Sequence, residues 1–340
     1  MDAPARAVKN LTMSIAVPFP NTQPDGYSWA EDEPVFDPGR HLDLTEPDEV
    51  VLLTDLGYQP EEITTKATKV AASSPFRILS NEGAAIMLSV ARALRVHAGR
   101  AGQRIEHTVR GGCYRSRWLR DLCTDPGVNE HLGRIYGIDI APHPMALHLG
   151  HLNYEPSRID AAIDKWHHDT LPLDYVMTVT DPATVAGGRF EYFVGTKAEA
   201  AALAEDGRTP PRERVVVPEL PGPGYAIALH GDMVVHRAAA LTAPGERISM
   251  VNGYVATDTS SDEQSRSVDL IGVDNPTVLW AEWAKMAAWR SKGRLESLIT
   301  DLPFTDDRDL VIEHLERAVA DVNRAIADMR QGPGKAAHYE

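Results

Sequence analysis

Cysteine is almost absent: Cys113 and Cys123 are the only two in 340 residues. They stand ten positions apart with no CxxC or other zinc spacing. That excludes a disulfide framework and a thiolate metal site and leaves buried free thiols as the reading. Long apolar runs are missing too. No stretch approaches the roughly 18 apolar residues that a membrane-crossing helix needs, and the opening MDAPARAVKNLTM lacks the charged-then-apolar pattern of a secretory leader. The expected location is therefore the cytoplasm, with no membrane partner. Positive charge is short as well: 34 Lys and Arg stand against 49 Asp and Glu, a formal net charge of −15. Such a surface repels phosphate backbones and anionic lipid, which argues against nucleic acid as a partner. The densest basic stretch, Arg115-Ser116-Arg117-Trp118-Leu119-Arg120, is too short to reverse that balance. It reads either as a solvated helix face or, through Arg117, as a local hold for an anionic group of a substrate.

What remains is enough for a sizeable core. With 43% hydrophobic residues the chain suits one large domain with helical additions. Residues 1–45, rich in Pro, Asp and Gly, read as an extended arm. Residues 46–144 read as a helical N-terminal part, with one helix from Ser80 to about Val96 (Ile86, Met87, Val90 and Leu94 at helical spacing) and shorter ones around 116–122 and 128–136. After Pro144 short apolar runs alternate with Gly, Pro and Asp, the texture of an all-β sandwich. Six to seven strands are expected within 145–257: Met145–Leu152, Tyr175–Thr180, Arg189–Val194, Arg214–Val217, Tyr225–His230, Met233–Arg237 and Arg247–Ala256, with a helical insertion at Lys197–Glu205. The predicted fold is mainly β with α additions, a jelly roll flanked by helices at both ends. Asn275-Pro276 opens a helix, and another starts near Thr305 with an apolar stripe Val311, Leu315, Val319, Val322, Ile326 and Met329. The stripe suits packing on the core, and it also permits a homodimer; monomer and homodimer both stay open. Residues 332–340 read as a loose tail.

The informative segment is Trp166-His167-His168-Asp169, followed by His236 and then by Arg247-Ile248-Ser249. On extended backbone His167 and Asp169, two apart, point the same way. His236, 67 positions after Asp169 (236 − 169), has to arrive on another strand. Two imidazoles and one carboxylate on one side of a metal leave its other positions open, the ligand set of non-haem iron(II) oxygenases. A 2-oxo acid can chelate there while O2 takes the last place. The far carboxylate of 2-oxoglutarate then requires a cation. Arg247, eleven positions after His236 (247 − 236), supplies a planar fork, and Ser249 lies on the same face.

The ordered set His167-x-Asp169, Gly187-Gly188-Arg189-Phe190, Gly231-Asp232-Met233-Val234-Val235-His236 and Arg247-x-Ser249 resembles the 2-oxoglutarate/iron(II) oxygenase superfamily. Within it, the short ligand interval and leading helices are most similar to the phytanoyl-CoA-dioxygenase-like group. The close resemblance covers residues 145–257. It implies a double-stranded β-helix, Fe(2+) held by His167, Asp169 and His236, 2-oxoglutarate as cosubstrate with its C5 carboxylate on Arg247 and Ser249, and O2 as oxidant. The implied reaction is hydroxylation of an unactivated carbon, with desaturation or cyclisation as variants and succinate and CO2 as co-products. The carboxylate at Asp169 argues against halogenation, because halogenating relatives carry a small residue there. In such relatives a polar group on the strand before the ligand turn meets the C1 end of the cosubstrate, a role for which Asn153 and His148 are candidates.

Arg189 and His168 remain candidates for substrate contact, each with a structural alternative: a salt bridge for Arg189, an outward-facing position for His168. Two other classes use the same residues: a cupin-like metal isomerase or dioxygenase without 2-oxoglutarate, in which Arg247 is dispensable, and a jelly-roll binding protein that holds no iron. The expected partner is a small metabolite or biosynthetic intermediate.

Overall fold

The computed structural model describes residues 17–101, 105–159, 162–334 and 338–339. The N-terminal part begins with the one-turn helix α1 (Pro38–His41) and then contributes strands as well as helices. These are β1 (Val50–Leu52), β2 (Val70–Ser73), β3 (Phe76–Arg77), β4 (Gly99–Ala101), β5 (Ile105–Val109) and β6 (Ile140–Pro142), interleaved with α2 (Asn81–Leu94), α3 (Arg117–Cys123) and α4 (Pro126–Tyr136). The expectation of a purely helical 46–144 is thereby corrected. These strands are two to five residues long and have no alternating pattern, and β2 is buried at every position. Periodicity cannot reveal them.

Eight further strands form the jelly roll: β7 (His151–Tyr154), β8 (Ala162–His167), β9 (Leu173–Thr178), β10 (Phe190–Phe193), β11 (Val215–Val216), β12 (Tyr225–Leu229), β13 (His236–Ala240) and β14 (Ile248–Ala256), with α5 (Lys197–Glu205) inserted after β10. The larger sheet runs β1-β2-β12-β9-β14-β7-β5-β4, with β3 on β12 and β6 on β14. The smaller runs β11-β10-β13-β8. Successive strands β7, β8, β9 and β10 therefore alternate between sheets, and so do β12, β13 and β14. Every pairing is antiparallel within the named strands. This is the double-stranded β-helix that the sequence led us to expect. The boundaries shift by one or two residues for most strands and by more for two: residues 146–148 are a 310 turn rather than strand, and β13 starts at His236, after the turn at 231–235. β8 was not among the expected strands.

α2 forms because Ser80 accepts from the Gly83 amide at its start and its apolar face, Met87, Val90, Ala91 and Leu94, is buried on the larger sheet. Burying each such large side chain is worth roughly 1.5–3 kcal/mol. The described part of the arm packs on α3, with Phe19 and Tyr27 against Tyr114 and Phe36 edge-on to Trp118. Behind the sheets, α6 (Pro276–Asp301) and α7 (Arg308–Gln331) form an antiparallel pair. The α7 stripe is split: Ala318, Asp321 and Ala325 are buried, Val311, Val322 and Met329 are partly covered, and Leu315, Val319 and Ile326 are exposed. Asp321 of α7 ties the helices together by accepting from Arg290 and by an ion pair with Arg294, both on α6, and also accepts from Arg324 of its own helix. The expectation of a loose 332–340 tail is also corrected, since Tyr339 is 5% exposed and packs beside Trp166.

Candidate metal centre

β8 and β13 are neighbours in the smaller sheet, and His167 lies directly opposite His236 in their ladder. A register shift follows: His236 pairs with His167 but Ala238 pairs with Asp164, so β8 carries one residue more than its partner over this span. The extra residue is a bulge, and it re-aims side chains. Lys165 faces solvent, Trp166 packs with Phe193 and Val235 outside the barrel, and Asp164 and His167 both line the interior. Beyond β8 the chain turns, the Asp169 amide donates to the Gly231 carbonyl at 2.8 Å, and the Asp169 side chain returns to the His167 face. Only glycine fits at 231. A Cβ there would lie 2.4 Å from Asp174 Oδ2, 2.7 Å from the Leu171 carbonyl and 3.0 Å from Asp169 Cβ.

His167, Asp169 and His236 each offer a ligand atom within 4.8 Å of the others, the one such cluster of three among the described residues. The His167 and His236 rings are 4.2 Å apart. His167 Nδ1 sits 2.6 Å from the Lys165 carbonyl and His236 Nδ1 3.0 Å from the Val234 carbonyl. A carbonyl can only accept, so each Nδ1 carries the proton and each Nε2 presents a lone pair. Those Nε2 atoms stand 3.4 Å from Asp169 Oδ1 and Oδ2 respectively. Burial pushes the Asp169 carboxyl up, but positive charge on the His236 and His167 rings beside it, present only when their Nε2 atoms are also protonated, holds it well below the usual carboxylate range. Behind it, the fully buried Asp174 is driven the other way, by burial first and then by Asp169. The donor set, with its tautomers fixed and its carboxylate ionised, suits a divalent first-row metal.

The same cavity, of about 610 Å3, is lined by Arg247 and Ser249. Arg247 precedes β14 and is buried; its Nη1 donates to Ser249 Oγ at 2.8 Å and its Nε to the Gly188 carbonyl at 3.2 Å. Gly188 has φ +64°, a left-handed conformation that glycine adopts freely. Burial lowers the Arg247 pKa to about 10, with Asp164 and Glu155 opposing the fall, so the guanidinium stays charged at neutral pH. A buried cation beside a hydroxyl donor is a ready seat for a carboxylate.

No protein-family model matches the chain, and no curated protein matches it significantly. Solved structures resemble it weakly. The non-haem α-ketoglutarate-dependent epimerase SnoN from nogalamycin biosynthesis is 20% identical over 53% of this chain and 75% of its own, with a TM-score of 0.39. EctD from S. alaskensis with 2-oxoglutarate and 5-hydroxyectoine is 15% identical over 75% and 94%, at 0.42. EvdO2 from Micromonospora carbonacea var. aurantiaca with 2-oxoglutarate is 16% identical over 69% and 98%, at 0.40. At these scores the chemistry has to be read from the chain's own residues.

Asn153 and His148 also line the cavity. Asn153 pairs with Ser249 across β7 and β14, and its Oδ1 is buried without a hydrogen bond; both ring nitrogens of His148 are likewise buried without one. Burial and the nearby His143 hold His148 well below the usual imidazole range, so it is neutral. The other candidates lie elsewhere. His168 points away from the cavity, to Tyr339 and Arg266. Arg189 is exposed outside it. Arg117 stacks over Trp29 on the arm. None of the three is among the residues that line the cavity. His230 is tied to Asp232 and the Val70 carbonyl.

Sequence reasoning missed several lining residues. Arg110 reaches the cavity from the end of β5 and holds the buried Asp274 with two bonds of 2.5 and 2.8 Å. Asp164 reaches it through the bulge, with Oδ2 3.5 Å from His167 Nε2. His338 reaches it from the tail. A charged Asp three residues before a ligand His was the one available signal, and strand alternation hides it. Residues 17–45 of the arm are not among the lining residues.

Proposed function

We propose that the protein is an Fe(II)- and 2-oxoglutarate-dependent oxygenase acting on a small, amphipathic organic molecule. The observation that carries this is the conjunction in one cavity of an ionised His167–Asp169–His236 set and a buried, charged Arg247 hydrogen-bonded to Ser249. His167 Nε2, His236 Nε2 and Asp169 would hold the metal, and Arg247 with Ser249 would hold the C5 carboxylate. Among the described residues Asn153 Oδ1 and the His148 ring have no hydrogen-bond partner; the amide oxygen could accept from a substrate donor, and the ring N–H of the neutral imidazole could donate to the cosubstrate's other end or to substrate. When bound, iron and 2-oxoglutarate supply the oxidising power, with O2 consumed and succinate and CO2 released.

The protein's own part is orientation and dryness. Nδ1–H bonds to carbonyls lock both imidazoles, so their lone pairs need no reorganisation on binding. Arg247 fixes which end of a dicarboxylate points at the metal, because its fork accepts one carboxylate bidentately and cannot move from Gly188. The wall mixes polar residues, among them Arg110, His148 and His151, with apolar ones, Ile105, Ile163, Leu270, Ile271 and Val273. That mixture supports a substrate that carries both polar groups and carbon skeleton.

The test is anaerobic titration of metal-free protein with Fe(II) and then 2-oxoglutarate, followed by visible absorption. A saturable charge-transfer band in wild type that weakens in Asp169→Ala and Arg247→Ala supports the reading. Iron binding without an oxoglutarate-dependent band would refute it.

A further inference from the structure

Two described pieces of the tail, residues 332–334 and 338–339, lie at the cavity. The Gly334 amide donates to the Val268 carbonyl at 3.2 Å, and Gly334 lines the cavity. His338 then forms a β-bridge with His167, the metal-facing residue at the end of β8, and itself lines the cavity. The Tyr339 amide donates to the Trp166 carbonyl at 2.9 Å. The Tyr339 ring is buried among Trp166, Phe193, Ala200 and Val235, and its hydroxyl lies 2.7 Å from His168 Nδ1. That hydroxyl therefore bonds the side chain that stands between two candidate ligands. Burial raises the Tyr339 phenol to about 12, so it stays protonated.

From this placement we propose that residues 338 and 339 complete the metal cavity, with Tyr339 a positioning residue and His338 a specificity-determining one. β8 is the outer strand of the smaller sheet, with only β13 beside it, and an edge strand carrying a metal ligand needs support on its open side. Tyr339 provides it through one backbone bond, one side-chain bond and an apolar socket. His338 is thereby presented to the cavity from the side opposite β13, where it supplies an imidazole to a bound substrate and narrows the way to the metal. Gly334 and His338 then share the wall around the ligand set with His148, His151, Asn153 and residues 269–273, among others.

The second half of this inference rests on the metal-site reading above, so the test has two arms. In the first, hydrogen–deuterium exchange of the protein as purified compares wild type with Tyr339→Ala, Tyr339→Phe and His338→Ala. Tyr339→Ala should speed exchange in peptides covering 162–169 at least about tenfold while α2 peptides stay unchanged, since losing a local cluster opens only that unit. Tyr339→Phe should fall between, and His338→Ala should match wild type. Equal exchange in wild type and Tyr339→Ala would overturn the positioning role. In the second arm, anaerobic Fe(II)-loaded protein is mixed with excess ferrozine. His338→Ala and Tyr339→Ala should lose iron at least about threefold faster; rates equal to wild type would overturn the wall. Failure of wild type to bind iron would refute His338's role beside a metal together with the functional reading, and the exchange arm alone would still decide Tyr339.

Discussion

His236 stands directly across the ladder from His167, and the two rings lie 4.2 Å apart with each Nδ1 tied to the carbonyl two residues back in the chain. Two histidines 69 residues apart in sequence (236 − 167) thus bring matched Nε2 atoms beside Asp169. Removing any one of the three should reduce Fe(II) affinity by more than the ~10–100-fold typical of outer-shell partners. Competition against a colorimetric chelator, with His236→Ala and Asp169→Ala, measures this; near-wild-type affinity in either variant would exclude that residue as a ligand.

Arg247 leads to a different expectation, because in the proposed function it would touch the cosubstrate and not the metal. Arg247→Lys keeps a charge and loses the fork. With a charge-assisted bond worth about 1.5–3 kcal/mol, 2-oxoglutarate should bind roughly 10- to 150-fold more weakly, while Fe(II) affinity stays within about twofold. Calorimetry of each ligand separates the two. A loss of iron affinity equal to the loss of oxoglutarate affinity would point to a folding role.

Gly231 is constrained by neighbours on three sides, including Asp169 Cβ and Asp174 Oδ2. Gly231→Ala should lower stability by about 1–3 kcal/mol, as overpacking does, and displace the carboxylate ligand. Thermal melting and iron binding should therefore fail together. A stable variant with intact iron binding would show that the turn has room the coordinates do not give it.

How much of this was legible in the sequence differs between parts. The jelly-roll strands after Pro144 announce themselves because turns punctuate them and one face is apolar. His167-x-Asp169, His236 and Arg247 are legible as an ordered set since their chemistry is unusual in combination. β2 and β5 are not: β2 joins β12 through Leu229 for Ala72, 157 residues on (229 − 72), β5 joins β7 through Asn153 for Thr108, 45 on (153 − 108), and the four buried residues of β2 in a row carry no period. Asp164 is hidden by the bulge, which places residues three apart on one face where regular alternation puts them on opposite faces. Tyr339 is hidden because a short polar tail looks unstructured until the socket of Trp166, Phe193 and Val235 exists to receive it.

Asp321 lies buried between α6 and α7, where it accepts from Arg290, itself 2% exposed, and from Arg324, and forms an ion pair with Arg294. Asp321→Ala leaves the Arg290 charge buried without its carboxylate, and removing one partner of such a group costs about 3–5 kcal/mol. Denaturant unfolding should report a loss of that order. A loss under about 1 kcal/mol would mean that Glu263, the other carboxylate acting on Arg290, suffices.

Glu282 gives the pH dependence its sign. It is buried under the cavity floor, where Tyr114 Oη donates to one carboxylate oxygen and the Leu147 amide to the other at 3.0 Å. Burial, partly offset by these bonds, raises its pKa from 4.5 to about 7. Between those values the unfolded chain has released this proton and the folded chain retains it, so folding stability falls as pH rises. Its contribution is fully present below about pH 4.5 and gone above about pH 7, a change of at most about 3 kcal/mol. Glu282→Gln cannot titrate and offers one acceptor oxygen instead of two. It should be less stable than wild type at pH 5, where wild type keeps its neutral acid, and the gap should close as pH approaches 7.5. Unfolding free energies at four pH values across that window test this, and a gap that stays constant would mean that Glu282 ionises in the folded protein as it does in the unfolded chain.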